Sequence, residues 1–280
     1  MRDIDVGLIT EAVRKLCMDA NYHLNDDVLS AMEEGLDKEV SETGKSIISQ
    51  LIENASIARE NNMAICQDTG MTVVFVEIGQ EVHITGGLLS EAINEGVRRG
   101  YRDGYLRKSV VRDPIHRINT GDNTPAVIHY DVVEGDRLKL IVAPKGFGSE
   151  NMSAIKMLKP SDGIEGVKEF IVDTVEKAGP NPCPPIVVGV GIGGTMEKAA
   201  VLSKKALLRP LNKRSGIDYV RDLETELLEN INDLGIGPAG LGGKLTALAV
   251  NIEVFPTHIA GLPVAVNISC HATRHAEVEL

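Results

Sequence analysis

The 280-residue sequence predicts a mixed α/β (α+β) fold with a helical N-terminal lobe. Apolar residues recur at helical spacing throughout residues 1–60, which predicts helices there. After residue 60, short runs rich in β-branched residues alternate with further amphipathic segments, which indicates strands and helices in one α/β body. Because no low-complexity linker or internal repeat divides the chain, we expect a single domain, 1–280, in which the helical lobe, 1–60, precedes the body, 61–280.

The lobe is predicted to contain three helices, each with one apolar face. The residues on these faces are Ile9, Val13, Leu16, Cys17 and Ala20 in the first helix, Val28, Leu29, Met32 and Leu36 in the second, and Ile47, Ile48, Leu51, Ile52, Ala55 and Ala58 in the third. Asp26 and Asp27 stand before the second apolar run, where acidic residues are typical of a helix N-terminus.

The body is predicted to alternate strands with helices. Its strand segments are MAIC, MTVVFVEIG, AVIHYDVV, RLKLIVA, PPIVVGV, KLTALAVNIEVF and LPVAVNIS. Its helices are predicted at residues 88–104, 163–178, 195–208 and 217–234. The short EGD segment between AVIHYDVV and RLKLIVA predicts that these two strands form a hairpin.

Composition excludes several classes of function. The formal charge is -11, so a nucleic acid duplex would be repelled by most of the surface. Aromatic residues make up only 3% and Trp is absent, which removes the stacking surfaces that single-stranded nucleic acid needs. No apolar stretch approaches the roughly 18 residues of a membrane helix. The charged N-terminus does not resemble a secretory signal, so we expect a cytoplasmic protein.

The four cysteines are too few and too widely separated for a disulfide framework. Cys17 lies on the apolar face of the first predicted helix, where a buried thiol is the ordinary state. Cys66, Cys183 and Cys270 instead lie beside turns, in CQDTG, PNPCPP and CHATRH. Turns at the ends of strands commonly carry functional residues, so these three are candidate ligands or nucleophiles.

Three thiolates can hold an iron–sulfur cluster or, together with a histidine, a zinc ion. The long separations between the three cysteines match neither compact ferredoxins nor zinc fingers. His271 and His275 follow Cys270 closely, and His258 precedes it. Spacing alone therefore leaves a cluster, a zinc ion and no metal all open.

Residues 98–117 form a basic segment in an otherwise acidic chain. Its cations are Arg98, Arg99, Arg102, Arg107, Lys108, Arg112 and Arg117. The first three fit the solvated face of a helix. The later ones lead into RINTGDNTPA, which is full of turn residues, and an arginine in such a turn can bind a carboxylate with two parallel hydrogen bonds. The local reversal of charge favours a small anionic substrate over a long polyanion.

Two glycine-rich segments suggest binding of anionic groups. In KGFGSEN, Gly146 and Gly148 flank Phe147, and their backbone N–H groups could face an anion. GVGIGG satisfies the G-x-G-x-x-G pattern of dinucleotide-binding folds. That fold also needs an acidic residue about 20 positions later, at the end of a second strand. The corresponding segment here is RPLNKRSG, so a nicotinamide oxidoreductase is the weaker alternative.

Seven segments, taken in order, resemble the α-subunit of the two-chain class I iron–sulfur hydro-lyases, which include class I fumarate hydratase and L-tartrate dehydratase. The segments are CQDTG at Cys66, RINTGDNTPA at Arg117, KGFGSEN at Lys145, PNPCPP around Cys183, GIGGTMEKA at Gly191, GPAGLGGKLTALAV at Gly237 and CHATRHA at Cys270. They span nearly everything after residue 60. Each segment alone is weakly diagnostic, but seven in the family order are specific.

The resemblance implies a [4Fe-4S] cluster held by Cys66, Cys183 and Cys270, on loops of mixed sheets. Three protein ligands leave one iron open to act as a Lewis acid on the substrate. Zinc then becomes a minor alternative. By the same match, Asp68 is the catalytic residue that carries or orients a proton. The substrate-binding residues that the resemblance implies are Gln67, Arg107, Gly146, Gly148 and His258.

The activity implied by the resemblance is the reversible hydration of fumarate to (S)-malate, a reaction of the tricarboxylic acid cycle. The alternative is an L-tartrate dehydratase α-subunit that converts tartrate to oxaloacetate. A rival without catalysis is an iron–sulfur sensing module. The sequence ends at Leu280, just after the last motif, whereas single-chain members of the family continue into a second domain. We therefore expect a separate β-subunit that completes the active site, in an α2β2 hetero-oligomer.

Overall fold

A computed structural model describes all residues, 1–280, and confirms the predicted mixed α/β fold. The helices are α1 (Val6–Tyr22), α2 (Asp26–Lys38), α3 (Glu42–Asn61), α4 (Leu89–Asp103), α5 (Phe147–Glu150), α6 (Gly163–Ala178), α7 (Met196–Ala206) and α8 (Asp218–Asp233). The strands are β1 (Arg2–Asp5), β2 (Met71–Gly79), β3 (Val82–Thr85), β4 (Val127–Val133), β5 (Leu138–Lys145), β6 (Ala154–Leu158), β7 (Ile186–Gly193), β8 (Ala247–Phe255), β9 (Leu262–Ser269) and β10 (Ala276–Glu279). None of the helices is both long and apolar enough to cross a membrane.

The chain forms two compact units, each built from separate stretches of sequence. The first unit comprises Met1–Leu24, Ala55–Phe147 and Arg274–Leu280. The second comprises Asn25–Asn54 and Gly148–Thr273. The three helices of residues 1–60 are divided between the units, since α1 belongs to the first, α2 to the second, and α3 contributes residues to both.

The first unit is organised around a four-stranded sheet in the order β10–β5–β2–β4. Apolar residues on one face of α1 and α4 pack with residues of β2 and β5 in a single core. Val74 and Val76 alternate along β2 toward this core, as the period of two in a strand requires. Cys17 is buried in the same core, as its place on the apolar face of α1 predicts. A separate pair of parallel strands, β1 and β3, completes the unit.

Two predictions about strands in this unit are wrong. MAIC forms a turn after α3 rather than a strand, and Met63 at its start is exposed. The strands β4 and β5 do not form a hairpin, because β2 lies between them, parallel to β4 and antiparallel to β5. The run of buried residues from Thr72 to Val76 makes β2 the strand suited to the middle of the sheet, whereas β4 is largely exposed and occupies the edge.

The second unit contains a four-stranded sheet in the order β6–β9–β7–β8, with helices on both faces. Val188 and Val190 of β7 join a core with α6 and α8. On the opposite face, α7 packs directly against the glycines of β7. A Cβ atom at Gly191 would lie 2.1 Å from the carbonyl oxygen of Ala199 in α7. Gly189 and Gly191 of GVGIGG therefore lie within the strand and admit a close helix, and only Gly194 follows the strand. The pattern is thus not the phosphate-binding turn of a dinucleotide fold.

Candidate functional site

The CQDTG turn connects α3 to β2 in the first unit and carries three of the predicted site residues. Cys66 and Asp68 are half-buried, whereas Gln67 between them is exposed. The Sγ atom of Cys66 lies 3.4 Å from Oε1 of Gln67. Gly70 ends the turn with φ of 76°, and a Cβ atom there would lie 2.7 Å from the backbone of Lys145. Only glycine fits this position, which brings the turn against the end of β5.

The carboxylate of Asp68 is held by two backbone N–H groups. Oδ1 accepts a hydrogen bond from Gly70 at 3.0 Å, and Oδ2 accepts one from Phe147 at 2.9 Å. Phe147 is the middle residue of KGFGSEN, so this segment does present a backbone N–H group to an anion, as its glycines suggested. The anion in this case is the protein's own carboxylate. Both contacts fix the direction of the Asp68 side chain without using all of its lone pairs.

Buried side chains hold the backbone of the same turn. The hydroxyl of Tyr101 donates to the carbonyl oxygens of Thr69 and Gly70, at 2.7 and 3.1 Å. Asn123 donates to the carbonyl of Gly70 at 3.2 Å, and Arg274 donates to the carbonyl of Asp68. Burial raises the pKa of Tyr101, so its hydroxyl stays protonated and remains a donor. The turn is thus fixed from three distant parts of the sequence.

Arg107 is tied to this turn through its backbone. Its carbonyl oxygen accepts a hydrogen bond from the hydroxyl of Thr69 at 3.0 Å. Oδ1 of Asn123 accepts the N–H groups of Ser109 and Val110, at 2.7 and 3.3 Å, and so holds the following residues as well. The Arg107 side chain itself is exposed. The structure therefore links Arg107 to the CQDTG turn.

The cations of the basic segment fall into two groups, as the sequence indicated. On α4, Arg98 pairs with Glu95 and Asp122, and Arg99 pairs with Glu95. Arg102 pairs with Asp103. Beyond the helix, four exposed cations make no ion pair or side-chain hydrogen bond; they are Arg107, Lys108, Arg112 and Arg117. Unpaired cations of this kind are suited to binding an external anion.

Asp122, in the RINTGDNTPA motif, has a structural role. It accepts hydrogen bonds from the backbone N–H and the hydroxyl of Thr124, at 3.0 and 2.8 Å, and from Arg98 at 3.0 Å. Burial alone would raise the pKa of Asp122, but these hydrogen bonds outweigh it and lower the pKa to about 2. The motif thus shapes the loop that follows Arg107.

In the second unit, the loops that carry Cys183 and Cys270 are in contact. The carbonyl oxygen of Cys183 accepts the backbone N–H of His271 at 3.4 Å and lies 3.1 Å from Nδ1 of the same residue. Cys183 is exposed and has φ of 57°, which is uncommon for a residue other than glycine and is often found at functional sites. Cys270 is half-buried and directly follows β9. Two of the three predicted ligands are therefore brought onto neighbouring loops.

His258 lies on the exposed loop between β8 and β9. Its Nδ1 atom accepts a hydrogen bond from the backbone N–H of Ala260 at 3.2 Å. Because Nδ1 accepts this hydrogen bond, the ring proton is on Nε2, which makes that atom a donor. Gly148 is also exposed and belongs to the second unit. Both residues are exposed, and their substrate-binding roles stay predictions.

The GLGGK segment binds a buried carboxylate of the protein itself. Glu39 is only 2% exposed and accepts the backbone N–H groups of Lys244 and Leu245. It also accepts those of Val40 and Ser41. Burial alone would raise the pKa of Glu39, but the backbone N–H groups lower it below its usual range.

The chemistry of the three thiols in turns fits an iron–sulfur cluster, because cysteine thiolates are the ligands that such clusters take. Cys66, Cys183 and Cys270 lie in turns and none is buried, whereas burial raises the pKa of the Cys17 thiol to about 12 and keeps it out of metal chemistry. No group of three or more His, Cys, Asp or Glu side chains could hold one metal ion. In a cluster, each thiolate instead binds a different iron.

Sequence patterns did not reveal three residues that shape the site, Tyr101, Asn123 and Arg274. Asn123 lies in the motif RINTGDNTPA and Arg274 in CHATRHA, so membership in these motifs was the feature that could have indicated them. Tyr101 lies on the buried side of α4 and carries no pattern that distinguishes it from a core residue.

The chain matches the family described as Fumarate hydratase (Fumerase) over residues 10–279. It therefore belongs to this family of hydro-lyases and is the chain of an enzyme, which excludes the oxidoreductase and the sensing module. A Methanocaldococcus jannaschii chain, provisionally named L(+)-tartrate dehydratase subunit alpha, is 47% identical over 274 residues, 96% of both chains. The L(+)-tartrate dehydratase subunit alpha of Escherichia coli UTI89 is 34% identical over 279 residues, 98% of this chain and 91% of its own. That of Escherichia coli O157:H7 is 35% identical over 273 residues, 96% of this chain and 89% of its own.

Proposed function

We propose that this chain is the α-subunit of an iron–sulfur L(+)-tartrate dehydratase, which removes water from tartrate to give oxaloacetate. The observation that carries the proposal is the 47% identity, over 96% of both chains, to a protein named for that activity. The more distant relatives carry the same name. Tartrate therefore replaces fumarate as the first candidate substrate. Fumarate hydration remains the second candidate, because the family description names it.

The proposed cofactor is a [4Fe-4S] cluster with Cys66, Cys183 and Cys270 as its ligands. The support is chemical, since these are the three thiols that lie in turns and are not buried. When bound, such a cluster supplies a Lewis acid for the departing hydroxyl group.

The residues of this chain bind and orient the substrate around that centre. Arg107 has a backbone anchored to Thr69 and a side chain that lacks an ion-pair partner, so its guanidinium can grip a carboxylate through two hydrogen bonds. Nε2 of His258 donates to a substrate oxygen, and Gln67 contributes neutral polar contacts. The backbone N–H groups near Gly146 and Gly148 are the remaining donors in this proposal.

Asp68 is the residue that we assign to proton transfer or to orientation of the proton carrier. Its carboxylate accepts only two hydrogen bonds within the protein, so lone pairs remain for a substrate proton. Arg274 and Tyr101 fix its own carbonyl group and that of the next residue, Thr69. A carboxylate held this firmly needs little reorganisation during proton transfer.

A test needs the chain assembled anaerobically with iron, sulfide and its β-subunit. We expect the highest kcat/KM with L(+)-tartrate, and lower values with fumarate and (S)-malate. Activity on fumarate without activity on tartrate would establish the second candidate instead. Activity on none of the three substrates, in a preparation that holds its full iron content, would refute both.

The matched variants are Arg107→Lys and Arg112→Lys. Lysine keeps the charge but loses the bidentate hydrogen bonds, which are worth about 1.5–3 kcal/mol each to a charged partner. We therefore expect kcat/KM to fall about 10–100-fold in Arg107→Lys. Arg112→Lys is the control, because Arg112 is equally exposed and unpaired but has no assigned role. Equal kinetics for the two variants would remove Arg107 from the site.

A further inference from the structure

Arg274 carries a buried positive charge that the protein does not neutralise. The residue is only 6% exposed, yet its one hydrogen bond runs from Nη2 to the carbonyl oxygen of Asp68. The Nε and Nη1 atoms are buried and have no hydrogen-bond partner. A buried charge without a counter-charge is among the most costly arrangements in a protein, so its presence here points to an anion that the chain itself does not supply.

The carboxylate of Asp68, the acidic residue whose backbone Arg274 contacts, is not that anion. The carboxylate of Asp68 is directed to the N–H groups of Gly70 and Phe147, and Arg274 contacts only its carbonyl oxygen. The neighbouring Tyr101 is neutral, because burial raises its pKa more strongly than the charge of Arg274 lowers it. Neither residue therefore compensates the guanidinium.

The turn that Arg274 contacts is the one that carries Cys66, two residues before Asp68. On the basis of the proposed function, we infer that Arg274 is the buried counter-cation of the anionic iron–sulfur group bound at Cys66, and that it also positions Asp68. A cluster held by three thiolates carries net negative charge, and hydrogen bonds to cluster sulfurs are a common means of stabilising it. The orphan Nε–H and Nη1–H groups supply both the charge and the donors.

The inference distinguishes two states of the same chain. Without the cluster, the uncompensated charge of Arg274 lowers the free energy of unfolding. Removal of this charge should therefore change the stability of the metal-free chain little. With the cluster bound, the same charge is paired, so its removal weakens the bound state. A residue with only a structural role would instead affect both states alike.

The experiment uses the full chain with Arg274→Gln and Arg274→Lys, and Arg117→Gln as the control for loss of an exposed arginine. Glutamine can still donate to the carbonyl of Asp68 but has no charge, whereas lysine keeps the charge and loses the planar donor set. Two quantities are measured in the absence of substrate: the melting temperature of the metal-free chain, and the rate at which a chelator removes iron from the reconstituted chain.

We expect iron release to be about tenfold faster or more in Arg274→Gln, with an intermediate rate in Arg274→Lys and the wild-type rate in Arg117→Gln. The melting temperature of the metal-free Arg274→Gln chain should stay within a few degrees of wild type. Unchanged iron release would overturn the inference, and so would an equal loss of stability in the metal-free and loaded chains. A wild-type chain that takes up no iron would refute the proposed cofactor itself, and with it this inference.

Discussion

Asp68 shows how buried polar residues direct one side chain of the candidate site. Its carboxylate receives two backbone N–H groups, and the carbonyl oxygens of residues 68–70 accept hydrogen bonds from Arg274, Tyr101 and Asn123. Each buried donor would be costly to leave without a partner, so each constrains the turn. The buried polar residues around Asp68 thus fix the backbone of the turn and, with it, the direction of the Asp68 side chain.

The cysteines lead to the first prediction at the scale of single residues. Replacement of Cys66, Cys183 or Cys270 by Ala should abolish the broad visible absorption of the cluster and its bound iron. Cys17→Ser should retain both, with about 1–3 kcal/mol of lost stability from a buried hydroxyl, because Cys17 is fully buried in the core. Iron content and absorption after anaerobic reconstitution measure the outcome. Loss of the cluster in Cys17→Ser with its retention in another variant would contradict the ligand assignment.

Asp122 leads to a prediction about pH. Its folded pKa of about 2 lies below the ordinary value of 3.8, so its hydrogen bonds stabilise the fold fully above that ordinary value and lose this contribution as pH falls toward 2. For this partly exposed carboxylate we expect about 1–2 kcal/mol at neutral pH. Urea unfolding of metal-free Asp122→Asn should show this deficit at pH 7 and a smaller one at pH 3. The control is the exposed Asp136→Asn, and a deficit in Asp122→Asn that is independent of pH would be evidence against the assignment.

At the scale of elements, periodicity predicted the helices well and the pairing of strands poorly. The apolar faces were sufficient to predict the helices α1, α4, α6 and α8, because a helix makes its backbone hydrogen bonds within its own residues. The partner of a strand depends on the packing of the whole sheet. The short EGD segment therefore predicted a hairpin of β4 and β5 that does not form. Residues 134–137 span from β4 across β2 to β5, a distance of about 10 Å that four extended residues can cover.

The contact between β7 and α7 gives the second unit its most sensitive packing position. A Cβ atom at Gly191 would meet the carbonyl oxygen of Ala199 at 2.1 Å, and backbone cannot move aside cheaply. We expect Gly191→Ala to reduce the free energy of unfolding by about 1–3 kcal/mol or more. Gly216→Ala is the matched control, since an added Cβ meets nothing within 4 Å there. Chemical denaturation of the metal-free chain compares the two, and equal stabilities would show that α7 does not depend on this glycine.

At the scale of the whole molecule, motif order carried more information than any local pattern. The motifs predicted a group that the structure links through hydrogen bonds, namely Asp68, Arg107 and the Gly146 segment. They did not predict Tyr101 or Arg274 as supports, because the partner of a buried polar residue is decided by the tertiary fold. Likewise, the resemblance of the motifs covers both fumarate and tartrate enzymes and does not separate the two substrates. The sequence analysis placed fumarate first, whereas the names of the relatives favour tartrate.

The charge of the molecule leads to the last prediction. A dicarboxylate substrate carries two negative charges, and each end needs a cation or several donors. This chain has a formal charge of -11 and offers one exposed arginine with an anchored backbone, Arg107, beside Gln67 and His258. We therefore propose that the second clamp and the base that removes the carbon-bound proton come from the β-subunit, since the relatives are named as alpha subunits.

The purified chain alone should accordingly fold and hold its cluster but dehydrate tartrate only at the background rate. Addition of the β-subunit should restore turnover, because it supplies the missing charges at a cleft between the two chains, where ligand sites commonly lie. Steady-state assays of the α-chain, the β-chain and the mixture, at equal iron content, measure the effect. Full activity from the 280-residue chain alone would show that the site is complete within it, and the second cation would then be one of Arg112, Arg117 and Lys145.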